Sequence, residues 1–382
     1  MTNPTVDTAW DKPVGVDPVM PMITAAICSY NGAARIGATL AALAGQIHTV
    51  PFEVVVVDDG STDETADIAE RAGATVIRLD ENRGRGYALQ EAIKVARGAF
   101  LAMADDDCVP LPNWIQQLAD AWAQVPHSVT VIGGCVRPLV VDTFNRRYVD
   151  FRKPLAAQEL PRNPNPGVAA RLHRALFPPP PRTGRRSVFS TAGANMSLRL
   201  SAVREVGGFD PAIHFGGEED ALCRRLQEAF GCDTVQLVPE INMPHDFRAN
   251  LGDSLRRSRA YGRSHGQQWV RRKDLPTVQP IPFLIAAITM PVFAWRPKFG
   301  ALLVALLPPL LYRGWLARCR ETHTLEPILY PYVRLLEDVA GDGDCAVLRF
   351  NDHTNIMFSV TWCSDSPNSV IDVECVLVKI VH

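Results

Sequence analysis

The feature that most constrains this chain is a run of β-branched residues, FEVVVVD at 52–58, set between two amphipathic segments. A strand apolar at every position must be covered on both faces, and a parallel sheet flanked by helices supplies that environment. The neighbouring segments agree. MITAAIC (22–28) is a second short apolar run, and Ala33–Ala44 carries Ile36, Leu40 and Leu43 at helical spacing. ATVIRL (74–79) and AFLAMA (99–104) read as further strands, Gly86–Ala96 and Leu111–Ala123 as further helices, and Val129–Gly133 as a strand behind them. Ser61 and Glu64 have the spacing of a capping box for a helix that Gly73 ends. The alternation predicts an α/β fold, a mostly parallel sheet with helices on both faces. Ligands of such sheets gather at the C-terminal ends of the strands.

Past residue 160 the pattern breaks. PRNPNPG (161–167) and FPPPPRTGRR (177–186) read as surface loop or spacer, because four consecutive prolines continue neither a helix nor a sheet ladder. Order resumes with SVFSTAGANMSLR (187–199) and a helix over 218–230, with Leu222, Leu226 and Ala229 inward and Gly231 as its stop. Two hydrophobic stretches follow, 280–295 and 299–315, separated by Arg296, Pro297 and Lys298. Each is shorter than the roughly twenty apolar residues of a spanning helix, so a buried hairpin and a membrane-associated one both fit. From Arg248 to Lys273 stand Arg248, Arg256, Arg257, Arg259, Arg263, Arg271, Arg272 and Lys273 against Asp253 alone, a solvated helix face or a match to an anionic membrane. Positive flanks on both sides would keep the ends of an inserted hairpin in the cytoplasm. Strand-like runs at 345–350, 356–362 and 370–381 carry no recognisable chemistry. The expected plan is a tail (1–21), a catalytic domain (22–250), a basic helix with a membrane-associated hairpin (251–320) and an appendage (321–382).

A net charge of −2 excludes a general nucleic-acid binder, so no nucleic-acid partner is expected. The nine cysteines contain no CxxC pair and read as reduced thiols. The polar, Pro-rich N-terminus lacks the form of a secretory signal, so the catalytic part is expected to stay in the cytoplasm.

Chemistry concentrates where strands end. AMADDDCVP (102–110) sets three carboxylates after an apolar run, and these repel one another unless something positive binds. Asp105 and Asp107 can share a hard divalent cation, Mg2+ or Mn2+; an Asp-rich turn is the bland alternative. Asp58 and Asp59 end FEVVVVDD and can accept from a uracil N3–H or a ribose hydroxyl, unless they only make a turn. ENRGRGYAL (81–89) is a Gly-rich basic loop entering a helix, where Arg83 and Arg85 suit a nucleotide. Glu218, Glu219 and Asp220 open a helix behind Gly216 and Gly217; they either cap it or supply a base for an acceptor hydroxyl. His245 in MPHDFR is either structural or a further metal ligand.

Taken in order, ICSYNGAARI, VVVDDGSTDET, NRGRGYALQEAI, ARGAFLAMADDDCVPLPNW, GANMSLR, VGGFD, GGEEDALCRRL and PHDFR resemble the family 2 glycosyltransferases of the GT-A fold, over roughly residues 22–265. The resemblance implies that Asp58, Asp59 and the segment Cys28–Asn31, with Ser29, Tyr30 and Asn31, hold the nucleoside. It makes Asp105–Asp107 the DxD motif for ribose, diphosphate and metal, with Asp106 inside the donor set. Gly193 and Asn195 of GANM would line the acceptor side, and His245 would lie near the metal or diphosphate. Where the family usually has Glu-Asp, alignment by Leu222 and Arg225 puts Glu219 at the base position, with Asp220 as the alternative. The implied reaction is an inverting transfer from a nucleotide sugar, UDP-type favoured, to a glycan or lipid-linked acceptor at a membrane. A non-catalytic sugar-nucleotide binder and a nucleotide-sugar pyrophosphorylase are the rival readings.

Overall fold

The β-branched run forms strand β2 (Phe52–Asp58), buried at every residue. A computed structural model describes residues 22–160, 172–173, 176–177, 182–272 and 279–345 of the chain. β2 lies beside β1 (Ile23–Ser29) in parallel register, Ile23 opposite Phe52 and Ser29 opposite Asp58. On the other side of β1 runs β4 (Phe100–Asp105), also parallel, and β3 (Thr75–Arg78) extends the sheet beyond β2. The remaining strands are β5 (Val131–Pro138), β6 (Arg186–Ser187), β7 (Met196–Arg199) and β8 (Val235–His245). The eight strands lie in the order β3-β2-β1-β4-β7-β5-β8-β6. Only β7 and β6 run antiparallel to their neighbours. Chain order reverses between β1 and β4, the switch point at which open α/β sheets leave a crevice.

Alternate residues of the central strands feed opposite faces. Ile27, Val54 and Val56 join Leu40, Trp114 and Trp122 on one side. Ala26, Val55 and Val57 join Leu89, Phe209 and Leu226 on the other. The covering helices include α1 (Ile36–Ala44), α2 (Thr65–Arg71), α3 (Arg85–Val95), α4 (Trp114–Gln124) and α5 (Phe144–Arg152).

Two local expectations are corrected. The Ser61–Glu64 capping box does not form, since α2 begins only at Thr65 and Glu64 makes no side-chain cap. Ser61 Oγ instead accepts the Asn31 amide, and Asp63 accepts the Thr65 amide. In the helix Glu218–Phe230, Leu222 and Leu226 face inward as expected but Ala229 is exposed, and Cys223 completes the buried stripe.

The chain divides into two compact units, Met1–Pro164 with Pro181–Ala249, and Asn165–Pro180 with Asn250–His382. In the second, helices Leu251–Arg272 and Tyr330–Cys345 meet at paired glycines: a Cβ on Gly262 would lie 1.9 Å from the Gly341 carbonyl oxygen. The two hydrophobic stretches are helices Pro280–Trp295 and Pro297–Leu311. Ile281, Ile285 and Thr289 are buried, whereas Met290, Trp295, Phe299 and Leu310 are largely exposed. Among the described residues no single helix is long and apolar enough to cross a membrane; Pro297–Leu311 and Trp315–Thr322, bent by 72°, are so only together. The segment 161–167, part of 177–186 and the strand-like runs after Cys345 lie outside the described residues.

Candidate active site

Strands β1, β2 and β4 all end in polar residues at the same edge, because parallel neighbours in register finish together. There Asn31 adopts a left-handed backbone (φ +50°), which Asn tolerates better than most residues. Its Oδ1 accepts the Thr62 amide at 2.9 Å. Tyr30 beside it is 48% exposed. Asp58 Oδ1 accepts the Ser61 amide at 3.2 Å. Asp59, expected with the nucleoside, has backbone partners of its own. Its two oxygens accept the backbone amides of Arg83 and Gly84 at 2.8 and 2.9 Å, so it ties down the loop before α3. Burial nevertheless raises its carboxyl above the ordinary value. Arg83 lies over the Tyr87 ring, 3.9 Å from its centroid.

The three aspartates after β4 separate by partner. Asp106 accepts from Ser29 Oγ at 2.5 Å and forms an ion pair with Arg35 at 3.1 Å. The sequence placed Asp106 with the donor and passed over Arg35; seventy-one residues separate the pair, beyond any local pattern. Asp105 and Asp107 face His245 at the end of β8. His245 Nε2 is 3.1 Å from Asp107 Oδ1 and 3.9 Å from Asp105 Oδ2. Backbone bonds from Val109 N to Pro244 O and from Asp246 N to Asp107 O stitch the two loops together. The ring is 1% exposed and stacks on Phe247 at 4.2 Å.

Asp105, Asp107, Cys108 and His245 each offer a ligand atom within 4.8 Å of the others. Two carboxylates and an imidazole suit Mg2+ or Mn2+. Cys108, absent from the sequence reading, does not fit that set. Burial pushes its thiol well above the usual range, and Sγ donates to the Ala194 carbonyl at 3.7 Å.

Arg85, expected with the nucleotide, is held within the protein by acidic partners. Its guanidinium is engaged by carboxylates: Nη1 lies 2.7 Å from Glu218 and 2.8 Å from Glu219, and Nη2 lies 2.8 Å from Asp105. Glu218 and Glu219 open the helix Glu218–Phe230, whose N-cap is left-handed Gly217. Glu218 is buried; Glu219 keeps 17% of its side chain exposed. Burial, and then the neighbouring Glu218, push the Glu219 carboxyl up to about 8, against the lowering influence of Arg85. Asp220 is engaged apart from this group, accepting from Ser190 Oγ at 2.5 Å and Gln158 Nε2 at 2.8 Å.

The GANM segment also divides. A Cβ on Gly193 would sit 2.0 Å from Glu219 Oε1 and 2.8 Å from both Arg85 Nη atoms, so any larger residue would displace the ends of these two side chains. Asn195, expected on the acceptor side, is 1% exposed with its amide fully engaged. It accepts from Trp114 Nε1 at 2.9 Å and donates to the Cys135 and Ile241 carbonyls at 3.0 Å each. It is a joint between α4, β5 and β8.

Known proteins are similar to this chain in sequence or in fold. The Pre-mycofactocin glycosyltransferase of Mycobacterium tuberculosis is 28% identical over 283 residues, 72% of this chain and 55% of that protein. The Glucosyl-dolichyl phosphate glucuronosyltransferase of Haloferax volcanii is 29% identical over 191 residues, 47% of this chain and 55% of that protein. The chain thus spans about half the length of these curated relatives. Among solved structures, a mannosyltransferase from Pyrobaculum calidifontis in complex with GDP-Man and Mn2+ superposes with a TM-score of 0.51 at 19% identity, covering 87% of this chain and 90% of that one, a likeness of fold. The sequence pattern of glycosyl transferase family 2 matches residues 24–205, from β1 through the helix after β7. Through that segment, the chain is similar to glycosyl transferase family 2.

Proposed function

We propose that this protein transfers a sugar from a nucleotide-sugar donor, UDP-type favoured, to a hydroxyl of a glycan or lipid-linked acceptor by a single inverting displacement. The observation that carries the reading is the convergence of Asp105, Asp107 and His245 at the strand ends, with Arg85 linking Asp105 to Glu219. Asp105, Asp107 and His245 would hold Mg2+ or Mn2+, which when bound neutralises charge on a departing diphosphate. Asp58 and the segment Ser29–Asn31 would position the nucleoside, with Tyr30 available to cover its base. Glu219 would be the base, accepting the proton of the acceptor hydroxyl as that oxygen bonds to the anomeric carbon and the bond to diphosphate breaks. Gly193, whose bare backbone leaves room for Glu219, would border the acceptor. Asp220 is the weaker candidate because Ser190 and Gln158 already engage both its oxygens.

The proposed location is the cytoplasmic face of the cell membrane. Residues 275–320 contain no acidic residue and include Arg296, Lys298, Arg313, Arg318 and Arg320. Exposed Trp295, Phe299 and Leu310 offer apolar surface beside that charge. The test of function is a screen of UDP-, GDP- and dTDP-sugars with Mn2+, reading thermal stabilisation and release of nucleoside diphosphate. One donor should both stabilise the protein and turn over. Stabilisation by a donor that never turns over, with any acceptor offered, would favour a sugar-nucleotide-binding protein instead.

A further inference from the structure

Arg85 sits where three carboxylates from two elements meet, and its backbone is fixed before its side chain does anything. Asp59 holds the amides of Arg83 and Gly84, and the His214 carbonyl accepts the Arg85 amide at 2.8 Å. Gly84 is left-handed (φ +90°), and a Cβ there would lie 2.5 Å from both His214 Nδ1 and the His214 carbonyl oxygen. A Cβ on Gly86 would lie 2.6 Å from the carbonyls of Asp210 and Ile213. The NRGRG sequence therefore aims one arginine from a clamped backbone.

We infer that Arg85 is a positioning residue that holds the proposed base, Glu219, in register with the donor-side aspartate, Asp105, through the two arms of one guanidinium. This inference rests on the proposed function for the meaning of "base"; the geometry it rests on is independent. Nη1 takes Glu218 and Glu219 while Nη2 takes Asp105 Oδ1, leaving Asp105 Oδ2 on the side of His245. A planar fork with arms fixed relative to one another transmits position between its partners, whereas the single nitrogen of a lysine does not. The charge also matters. The guanidinium, a permanent cation, lies within 2.8 Å of all three carboxylates. The groups around Glu219 are Glu218 and Asp220 on its own helix, Arg85 from α3, and the Cys223 thiol, which burial holds well above its usual range. Arg85 is thus the cation that opposes the upward push of burial on the Glu219 carboxyl.

The test uses the full chain with Arg85→Gln and Arg85→Lys. The Glu219 side-chain carbon is followed by 13C NMR as pH is varied without metal or donor, assigned by its loss in Glu219→Gln. In Arg85→Gln the Glu219 titration should move up by about one pH unit or more, since an opposite charge at hydrogen-bond distance lowers a carboxyl by that much. In Arg85→Lys, kcat should fall more than fivefold while donor KM stays within threefold. The NMR readout does not require turnover, so it stands even if no donor is ever used. An unmoved Glu219 titration in Arg85→Gln overturns the inference, as does a kcat within fivefold of wild type in Arg85→Lys. If Arg85→Gln does not fold, kcat and donor KM of Arg85→Lys decide by the same limits.

Discussion

Asn195 is the position where sequence pattern and structure give opposite expectations, which makes Asn195→Ala a decisive substitution. As an acceptor contact its loss would lower turnover and leave stability alone. As a buried joint its loss removes an acceptor from Trp114 Nε1 and donors from two strand carbonyls. Trp114 is fully buried, so its N–H has no water to turn to. A buried group left without its partner costs about 1–3 kcal/mol, and the two carbonyls add a smaller share because each keeps a second lone pair. A total of about 3 kcal/mol follows, which for a unit of this size lowers the melting temperature by roughly 6–12 °C. Asn195→Asp should be at least as harmful, since it presents a carboxylate to two carbonyl oxygens. The assay is thermal and urea unfolding beside donor turnover at a temperature where the variant remains folded. A variant that melts within about 2 °C of wild type yet has lost acceptor-dependent turnover would return Asn195 to the acceptor site.

The other expectations follow from the same geometry. Asp107→Ala should abolish Mn2+-dependent activity with an unchanged circular dichroism spectrum, and full activity in excess chelator would remove the metal from the scheme. Glu219→Gln should lower kcat by about a hundredfold with donor affinity retained, while Asp220→Asn acts mainly on stability; the reverse order in kcat would make Asp220 the base. Because the Glu219 carboxyl is raised from 4.5 to about 8, its contribution to stability is fully present below the lower value and lost as pH rises through the upper one. The melting temperature of metal-free wild type, measured relative to Glu219→Gln, should therefore fall between about pH 5 and 8.5, and a difference independent of pH would contradict the raised carboxyl. Full-length protein should sediment with anionic vesicles at low salt; recovery entirely in the supernatant would speak against the proposed membrane location.

The central strands were legible because burial on both faces leaves no choice of residue: FEVVVVD is β2 to the residue. The helix 218–230 was equally plain, bounded by Gly217 and Gly231, both left-handed or near it in φ. What the sequence did not disclose is which side chain takes which partner. Ser61 and Glu64 have correct capping spacing, yet Ser61 is drawn to the Asn31 amide thirty residues away. Arg35 lacks any local signature because its partner, Asp106, arrives from another strand. GANM marks a real place in the fold, but spacing cannot say that Gly193 faces Glu219 while Asn195 turns into the core. Periodicity reports burial, and partner choice depends on contacts made at long range.

Those contacts resolve the puzzle posed by so many adjacent acids. Each acidic motif contains more carboxylates than one site can use, and in each the structure gives one or more of them to the scaffold. In the first pair, Asp59 holds the loop that presents Arg85. In the second cluster, Asp106 is neutralised by Arg35 and anchored by Ser29, which leaves Asp105 and Asp107 on the side of His245. In the third, Asp220 fixes Ser190 and Gln158, while Glu218 shares Nη1 of Arg85 with Glu219. The first two motifs thereby receive separate hydrogen-bond donors and cations, whereas in the third, where two glutamates share one arginine, burial and the neighbouring Glu218 still push the Glu219 carboxyl up. The carboxylates left facing the crevice, Asp105, Asp107 and Glu219, are held in place by residues one position away in sequence. A substitution at a bracing acid should therefore damage the site as surely as one at its neighbour, but through position rather than through chemistry.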